Sequence, residues 1–237
     1  MRIKNLSEKF TRKFRMRICH TSDTHSVFFP LYGKYDTILH TGDLLPNSNN
    51  IFSGNKTKEA EFQLNWVSDN MIKFKQWIGN KPFLFTLGNH DFCSADMLEK
   101  LFIDNQIDAV SLEDKAVMHE GVMFYGFPYV PTIDGSWNYE RGIPEMQAEV
   151  NKMVEVLNNK YIDIIAAHSA IYSCLDLTNH NELMGSSVIA TALDYQINKD
   201  MLPMIYCHGH CHESNGLTMR NGMLVSNAAT TYRILEI

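Results

Sequence analysis

Five short apolar runs, each ending in a small cluster of acids, imidazoles or amide, constrain this chain more than any other feature. The clearest is Pro82-Phe83-Leu84-Phe85-Thr86-Leu87, followed at once by Gly88-Asn89-His90-Asp91. An apolar run without polar alternation is a strand buried on both faces, as in parallel sheets covered by helices. In the same way, residues 16–21 lead into Ser22-Asp23-Thr24-His25 and residues 36–41 into Gly42-Asp43. Residues 161–167 end at His168, and residues 203–207 end at His208-Gly209-His210-Cys211-His212.

Helical patterns separate the runs. Over residues 57–78 the stripe Ala60, Leu64, Val67, Met71, Phe74, Ile78 steps alternately by four and three, and Gly79 supplies a stop. A short helix is expected at 94–102, an amphipathic one at 144–158 and a further one at 186–199. Residues 117–125, broken by Glu120-Gly121, read as a hairpin, and Asn221-Gly222 between apolar runs marks a second. This alternation predicts an α/β fold, a layered αββα sandwich in one domain spanning residues 16–237.

The chain has 237 residues and a net charge of −6. Residues 1–17 carry seven Lys/Arg against Glu8 alone, so residues 1–15 read as a basic extension and the rest is strongly acidic. An acidic body is a poor surface for a nucleic-acid backbone, which needs clustered cations. No apolar stretch reaches the roughly 18–20 residues of a membrane span, and no secretory signal pattern opens the chain. The missing signal pattern points to a cytoplasmic setting, and the five cysteines, odd in number with no Cys-x-x-Cys pair, argue against a disulfide framework. Cys207, His208, His210, Cys211 and His212 lack the second thiolate cluster that a structural zinc site needs.

Sites on open α/β sheets form beyond the carboxyl ends of the strands, so the five clusters can converge. Carboxylates, imidazoles and an amide suit borderline divalent transition metals, Mn first, with Fe, Zn, Ni or Co as alternatives. A shared carboxylate lets two ions sit about 3.5–4 Å apart, where a hydroxide held between them serves as nucleophile. Two such ions, set against Asp23, Asp43 and that hydroxide, leave about one positive charge, which matches a phosphodiester monoanion. The leaving alkoxide needs a proton, and His90 is the natural donor, with Asp91 beside it to orient or support it.

The ordered set Asp23-x-His25, Gly42-Asp43, Gly88-Asn89-His90-Asp91, His168, Gly209-His210-x-His212 resembles the calcineurin-like metallophosphoesterase superfamily. The resemblance spans residues 23–212. It implies one metal on Asp23, His25, Asp43 and His212, a second on Asp43, Asn89, His168 and His210, and His90 as the acid at the phosphate. Ser22-Asp23-Thr24-His25-Ser26, His40-Thr41-Gly42-Asp43-Leu44, Tyr125-Gly126-Phe127-Pro128-Tyr129 and Trp137-Asn138 are similar to the small brain-type metallophosphoesterase-domain proteins and their microbial relatives. That likeness implies a phosphodiesterase acting on small, nucleotide-like phosphoesters. After His168 the chain reads Ser169-Ala170-Ile171 where those relatives have Gly-Pro-Pro, and Leu44-Leu45-Pro46 lacks the Asp-Arg-Gly of serine/threonine protein phosphatases. The alternatives are a nuclease of the same superfamily, or a regulatory metal-binding scaffold, which would be expected to lack a ligand or His90.

Within the long loop at 128–142, Tyr129, Trp137 and Tyr139 suit either a base-stacking platform or a hydrophobic cover. Asn227 is a candidate to reach the site. His20, His40 and His208 read as core residues, and His119 and His180 as surface residues. The sequence names no oligomeric state.

Overall fold

The computed structural model describes residues 16–49, 54–197 and 202–237. The basic extension at 1–15 and the predicted end of the last helix, at 198–199, lie outside the described residues. In chain order the elements begin β1 (Arg17–Thr21), β2 (Thr37–Thr41), α1 (Lys56–Asp69), α2 (Met71–Ile78), β3 (Phe83–Thr86) and α3 (Ala95–Asp104). Then come β4 (Ala109–Ser111), β5 (Ala116–His119), β6 (Val122–Phe127), β7 (Val130–Pro131), β8 (Glu140–Arg141) and α4 (Ile143–Asn159). The chain ends with β9 (Ile164–Ala167), α5 (Ser187–Ile197), β10 (Ile205–His208), β11 (Gly216–Arg220), β12 (Met223–Asn227) and β13 (Tyr232–Glu236).

Two sheets carry the fold, one ordered β13-β1-β2-β3-β4 and the other β11-β12-β10-β9-β6-β5. The pairs β1–β2, β2–β3, β9–β10 and β6–β9 are all parallel. Side chains alternate across a strand, and here the alternation sorts residues into layers. Ile18, Leu39, Leu84, Phe124, Ile164, Ala166 and Ile205 meet in one buried cluster drawn from both sheets. Their neighbours Cys19, Ile38, Phe83 and Phe85 face α1, α2 and α3 through Val67, Phe74, Leu98 and Phe102. Tyr125, Ile165, Ala167 and Tyr206 face α4 and α5 through Val150, Met153, Leu157 and Leu193. The expected αββα sandwich is the fold observed.

The differences from the sequence reading are local. The helix predicted over 57–78 is two helices, broken at Asn70, whose side-chain amide bonds the Trp66 carbonyl at 2.9 Å and competes with the helical ladder. In the first part of α1 the most buried side chains are Glu59 and Gln63, polar residues that a hydrophobic pattern assigns to solvent. The edge strands β4 and β13 escaped the pattern. The first is only three residues long, and β13 has no apolar run. All five cysteines are free and buried, and no described helix is long and apolar enough to cross a membrane.

Because the inter-sheet layer sets the spacing between the two groups of strand ends, truncation there should be costly. Leu84→Ala is expected to lower stability by about 2–5 kcal/mol, read as a shift in urea midpoint. A loss under about 1 kcal/mol would show that the layer is not tightly packed.

Candidate metal centre

The carboxyl ends of β1, β2 and β3 in one sheet, and of β9 and β10 in the other, open at the same place. Backbone bonds from Asp23 N to Gly42 O (2.9 Å), His25 N to Asp43 O (3.0 Å) and Ser26 N to Leu44 O (3.0 Å) lace the first two loops together. Asp23, His25, Asp43 and His210 all adopt left-handed backbone, with φ of 52°, 42°, 56° and 67°. Such conformations cost about 1–3 kcal/mol each in non-glycine residues and persist only where the surroundings impose them. Glycine is demanded at two neighbouring positions by space. A Cβ at Gly88 would overlap the Asp43 carboxylate, and one at Gly209 would overlap Asp23.

The side chains converge accordingly. Potential ligand atoms of Asp23, His25 and His212 lie within 4.8 Å of one another, as do those of His25, Asp43 and His90, and those of Asp23, Asp43 and His168. His212 Nε2 sits 3.1 Å from Asp23 Oδ1, and His25 Nε2 sits 3.8 Å from Asp43 Oδ2. His168 is fully buried; its Nδ1 bonds the Thr41 carbonyl at 2.8 Å. That bond requires a proton on Nδ1 and leaves Nε2 facing Asn89 Oδ1 at 3.0 Å and Asp43 Oδ2 at 3.4 Å. His210 donates its backbone N–H to both Asp23 oxygens, at 3.1 and 3.0 Å.

The electrostatics fit a cation. Burial alone would keep Asp43 protonated, but His168, His90 and His25 hold it far below the usual carboxylate range. Burial likewise opposes ionisation of Asp23, and the His212 hydrogen bond with the charge of His168 reverses the outcome. Burial disfavours a charged His168, yet Asp43 and Asp23 raise it to about 9. Without a positive charge between them, three electron-rich atoms (His168 Nε2, Asn89 Oδ1 and Asp43 Oδ2) would point at one another. A proton on His168, which Asp43 and Asp23 favour, would supply that charge, and so would a divalent ion. His210 points the same way. Burial lowers it to about 3, so its ring is neutral, and its buried Nε2 has no hydrogen-bond partner among the described residues. The donor set of carboxylates, neutral imidazoles and an amide oxygen fits borderline divalent metals.

Above this cluster lies an open cavity of about 370 Å³. Asp43, Asn89, His90, His210 and His212 line it from below, and Ile133, Trp137, Thr178, His180, Glu182, Met184 and Glu213 from the surrounding loops. Trp137 lies over the His90 ring at 4.0 Å between centroids. Its neighbour Asn138 ties that loop to the site by bonds to the Asn89 carbonyl (3.0 Å) and the Asp91 carbonyl (2.7 Å).

Asp91, the loop aromatics and Asn227 are each placed by partners of their own. Asp91 is not hydrogen-bonded to the His90 ring. Its carboxylate accepts backbone N–H bonds from Leu45 (2.9 Å), Gly88 (2.9 Å) and Leu44 (3.2 Å), joining the loops after β2 and β3. The partner of His90 Nδ1 is Asn47, from a polar loop that carried no motif. Of the three aromatics in the 128–142 loop, only Trp137 lines the cavity. The Tyr129 hydroxyl goes to Asp114 and the Tyr139 hydroxyl to Glu113. Asn227 braces the loop below instead, donating to the Cys211 (2.8 Å) and Leu175 (3.2 Å) carbonyls. His20, His40 and His208 are fully buried, the first two held by Ser226, Thr41 and Thr24. His180, expected at the surface, is exposed on the cavity rim.

The calcineurin-like phosphoesterase family matches residues 16–214, most of the chain, and this protein belongs to that family. Its members are metal-dependent hydrolases with a binuclear divalent centre. A crystal structure of another protein superposes with a TM-score of 0.69 over 94% of this chain and 95% of its own, at 13% identity. At that identity the likeness shows the shared fold alone.

Asp91→Ala would strand three buried backbone donors, each costing about 1–3 kcal/mol. The variant is therefore expected to unfold at a markedly lower temperature than the native protein in a calorimetric scan. An unchanged melting temperature would return Asp91 to a purely chemical role.

Proposed function

We propose that this chain is a two-metal phosphodiesterase acting on small nucleotide-like phosphoesters. The observation that carries the reading is the pair of buried carboxylates, Asp23 and Asp43, clustered with His168 beside a cavity that Asp43 and His90 line. Asp23, His25, Asp43 and His212 would hold one ion, and Asp43, Asn89, His168 and His210 the other, with Asp43 shared. Two divalent cations held there would supply charge neutralisation at phosphorus and acidify a water into a nucleophile at neutral pH.

The protein's own groups do the rest. As the bond from phosphorus to the leaving oxygen breaks, its electron pair stays on oxygen and His90 delivers a proton there. Trp137 offers an aromatic face beside His90 for a base or similar ring. Glu182 and Glu213 on the rim repel a polyanion, which favours a substrate with one phosphoryl group over a nucleic acid. The sequence likeness to the brain-type subgroup supports nucleotide-like specificity, and the free, buried cysteines suit a reducing cytoplasmic compartment. The inter-sheet core supports treating residues 16–237 as one domain. Manganese is the first metal to try.

Asp43→Asn is expected to bring the metal content from two ions per chain to one or none by elemental analysis, since both positions share that carboxylate. His90→Ala should leave the metal content intact and cut turnover of a phosphoester with an alkoxide leaving group by about 10²–10⁴-fold. A panel of bis-p-nitrophenyl phosphate, p-nitrophenyl phosphate, cyclic nucleotides and single-stranded DNA with Mn²⁺ tests the substrate class. Diester turnover is expected. Activity on monoesters alone would overturn the diesterase assignment, and DNA cleavage would favour a nuclease.

A further inference from the structure

We infer that Asn47 is a positioning residue for His90: it selects the Nδ1-protonated form of the imidazole and leaves Nε2 for exchange in the cavity. The inference deepens the proposed function and rests on His90 as its proton donor. Asn47 Oδ1 is hydrogen-bonded to His90 Nδ1, a contact that by itself leaves the proton's location open. The other end of the amide decides it. Asn47 Nδ2 points at the His90 carbonyl (2.9 Å) and at Glu59 Oε1 (3.5 Å), and both of those accept hydrogen bonds. Flipping the amide would set its oxygen against two other oxygens and its N–H against the ring. The oxygen therefore faces His90, and Nδ1 must carry the proton.

Asn47 is itself held in place by α1. Glu59, nearly fully buried, accepts from Ser48 N at 2.6 Å and from the Ser48 hydroxyl. One turn further along, Gln63 donates to the His90 carbonyl (2.7 Å) and the Pro46 carbonyl (3.1 Å), while its oxygen accepts from Phe92 N (2.6 Å) and Cys93 N (3.2 Å). Two polar side chains four residues apart on one helical face thus bind both the segment around Asn47 and the segment around His90. Trp137 covers the ring, and His25 meets it edge-on at 4.8 Å. An amide orients the imidazole without adding a further negative charge beside Asp43 and Asp91. During turnover the doubly protonated His90 passes its Nε2 proton to the leaving oxygen and keeps its Nδ1 proton, hydrogen-bonded to Asn47, so the ring ends neutral in the form Asn47 favours.

The tautomer is read directly from imidazole ¹H–¹⁵N correlation spectra, with the His90 signals assigned by their loss in His90→Ala. The neutral His90 of the native protein is expected to be protonated at Nδ1, and Asn47→Leu should shift it to Nε2. Asn47→Asp, which keeps an acceptor, should restore Nδ1. A native ring protonated at Nε2 overturns the inference even if the leucine variant fails to fold, and so does a tautomer unchanged in that variant. Turnover gives a second reading, on two phosphoesters that differ only in the leaving group. Asn47→Leu should lower kcat about 10²-fold for an alkoxide leaving group and less than about threefold for p-nitrophenolate, which needs no proton. Equal losses on both would reduce Asn47 to a structural role. If His90→Ala itself fails to distinguish the two leaving groups, the proton-donor assignment falls, while the spectra still decide whether Asn47 sets the ring.

Discussion

The structure depends on placing two carboxylates, Asp23 and Asp43, in a buried seam that neither would enter alone. An isolated ionised carboxylate in such a place is strongly disfavoured unless paired and hydrogen-bonded. Here each has partners of the right kind. Asp23 takes two bonds from the His210 backbone N–H and one from His212, and Asp43 accepts from His90 N at 2.8 Å and faces His168. The left-handed backbone at four of the converging residues is the conformational strain of turning those groups inward. A divalent cation would relieve the remaining repulsion, so the architecture and the proposed chemistry have the same electrostatic requirement.

Around that seam the protein uses buried polar side chains as fasteners. Asp91 joins two strand-end loops through three backbone N–H groups, although burial and the Asp43 charge push it up to about 7. Gln63 and Glu59 fasten the next loops to α1, and Asn138 and Asn227 do the same for the loops above and below. These groups orient the residues that line the cavity, which is how catalytic geometry is kept within the small tolerances that chemistry needs. The loops of the rim carry the features that differ most in chemistry: an indole, an imidazole and two carboxylates.

Much of this was legible in the amino-acid order. Apolar runs such as Phe83–Thr86 announce strands buried on both faces, and polar residues straight after them must lie at strand ends. Because parallel strands of one sheet end on the same edge, the clusters after β1, β2 and β3 fall side by side, as do those after β9 and β10, and the family likeness matches all five in order. The errors fall on side chains whose partners are distant in sequence. By order Asp91 goes with its neighbour His90, but two of its three bonds come from residues more than forty positions away. Glu59 and Gln63 look like solvent-facing helix residues until the loops they bind are in place.

The sequence by itself therefore determined the αββα layering and which polar residues gather at the strand ends. Strand period and hydrophobic burial are local rules, written residue by residue. Only the tertiary structure decided which atoms face each other: His168 Nε2 toward Asn89 and Asp43, His90 Nδ1 toward Asn47, and Trp137 alone of three aromatics toward the cavity. Those pairings come from loops in separate layers brought within about 3 Å, where hydrogen bonds act. No local pattern encodes that proximity, because it is set by how the two sheets pack.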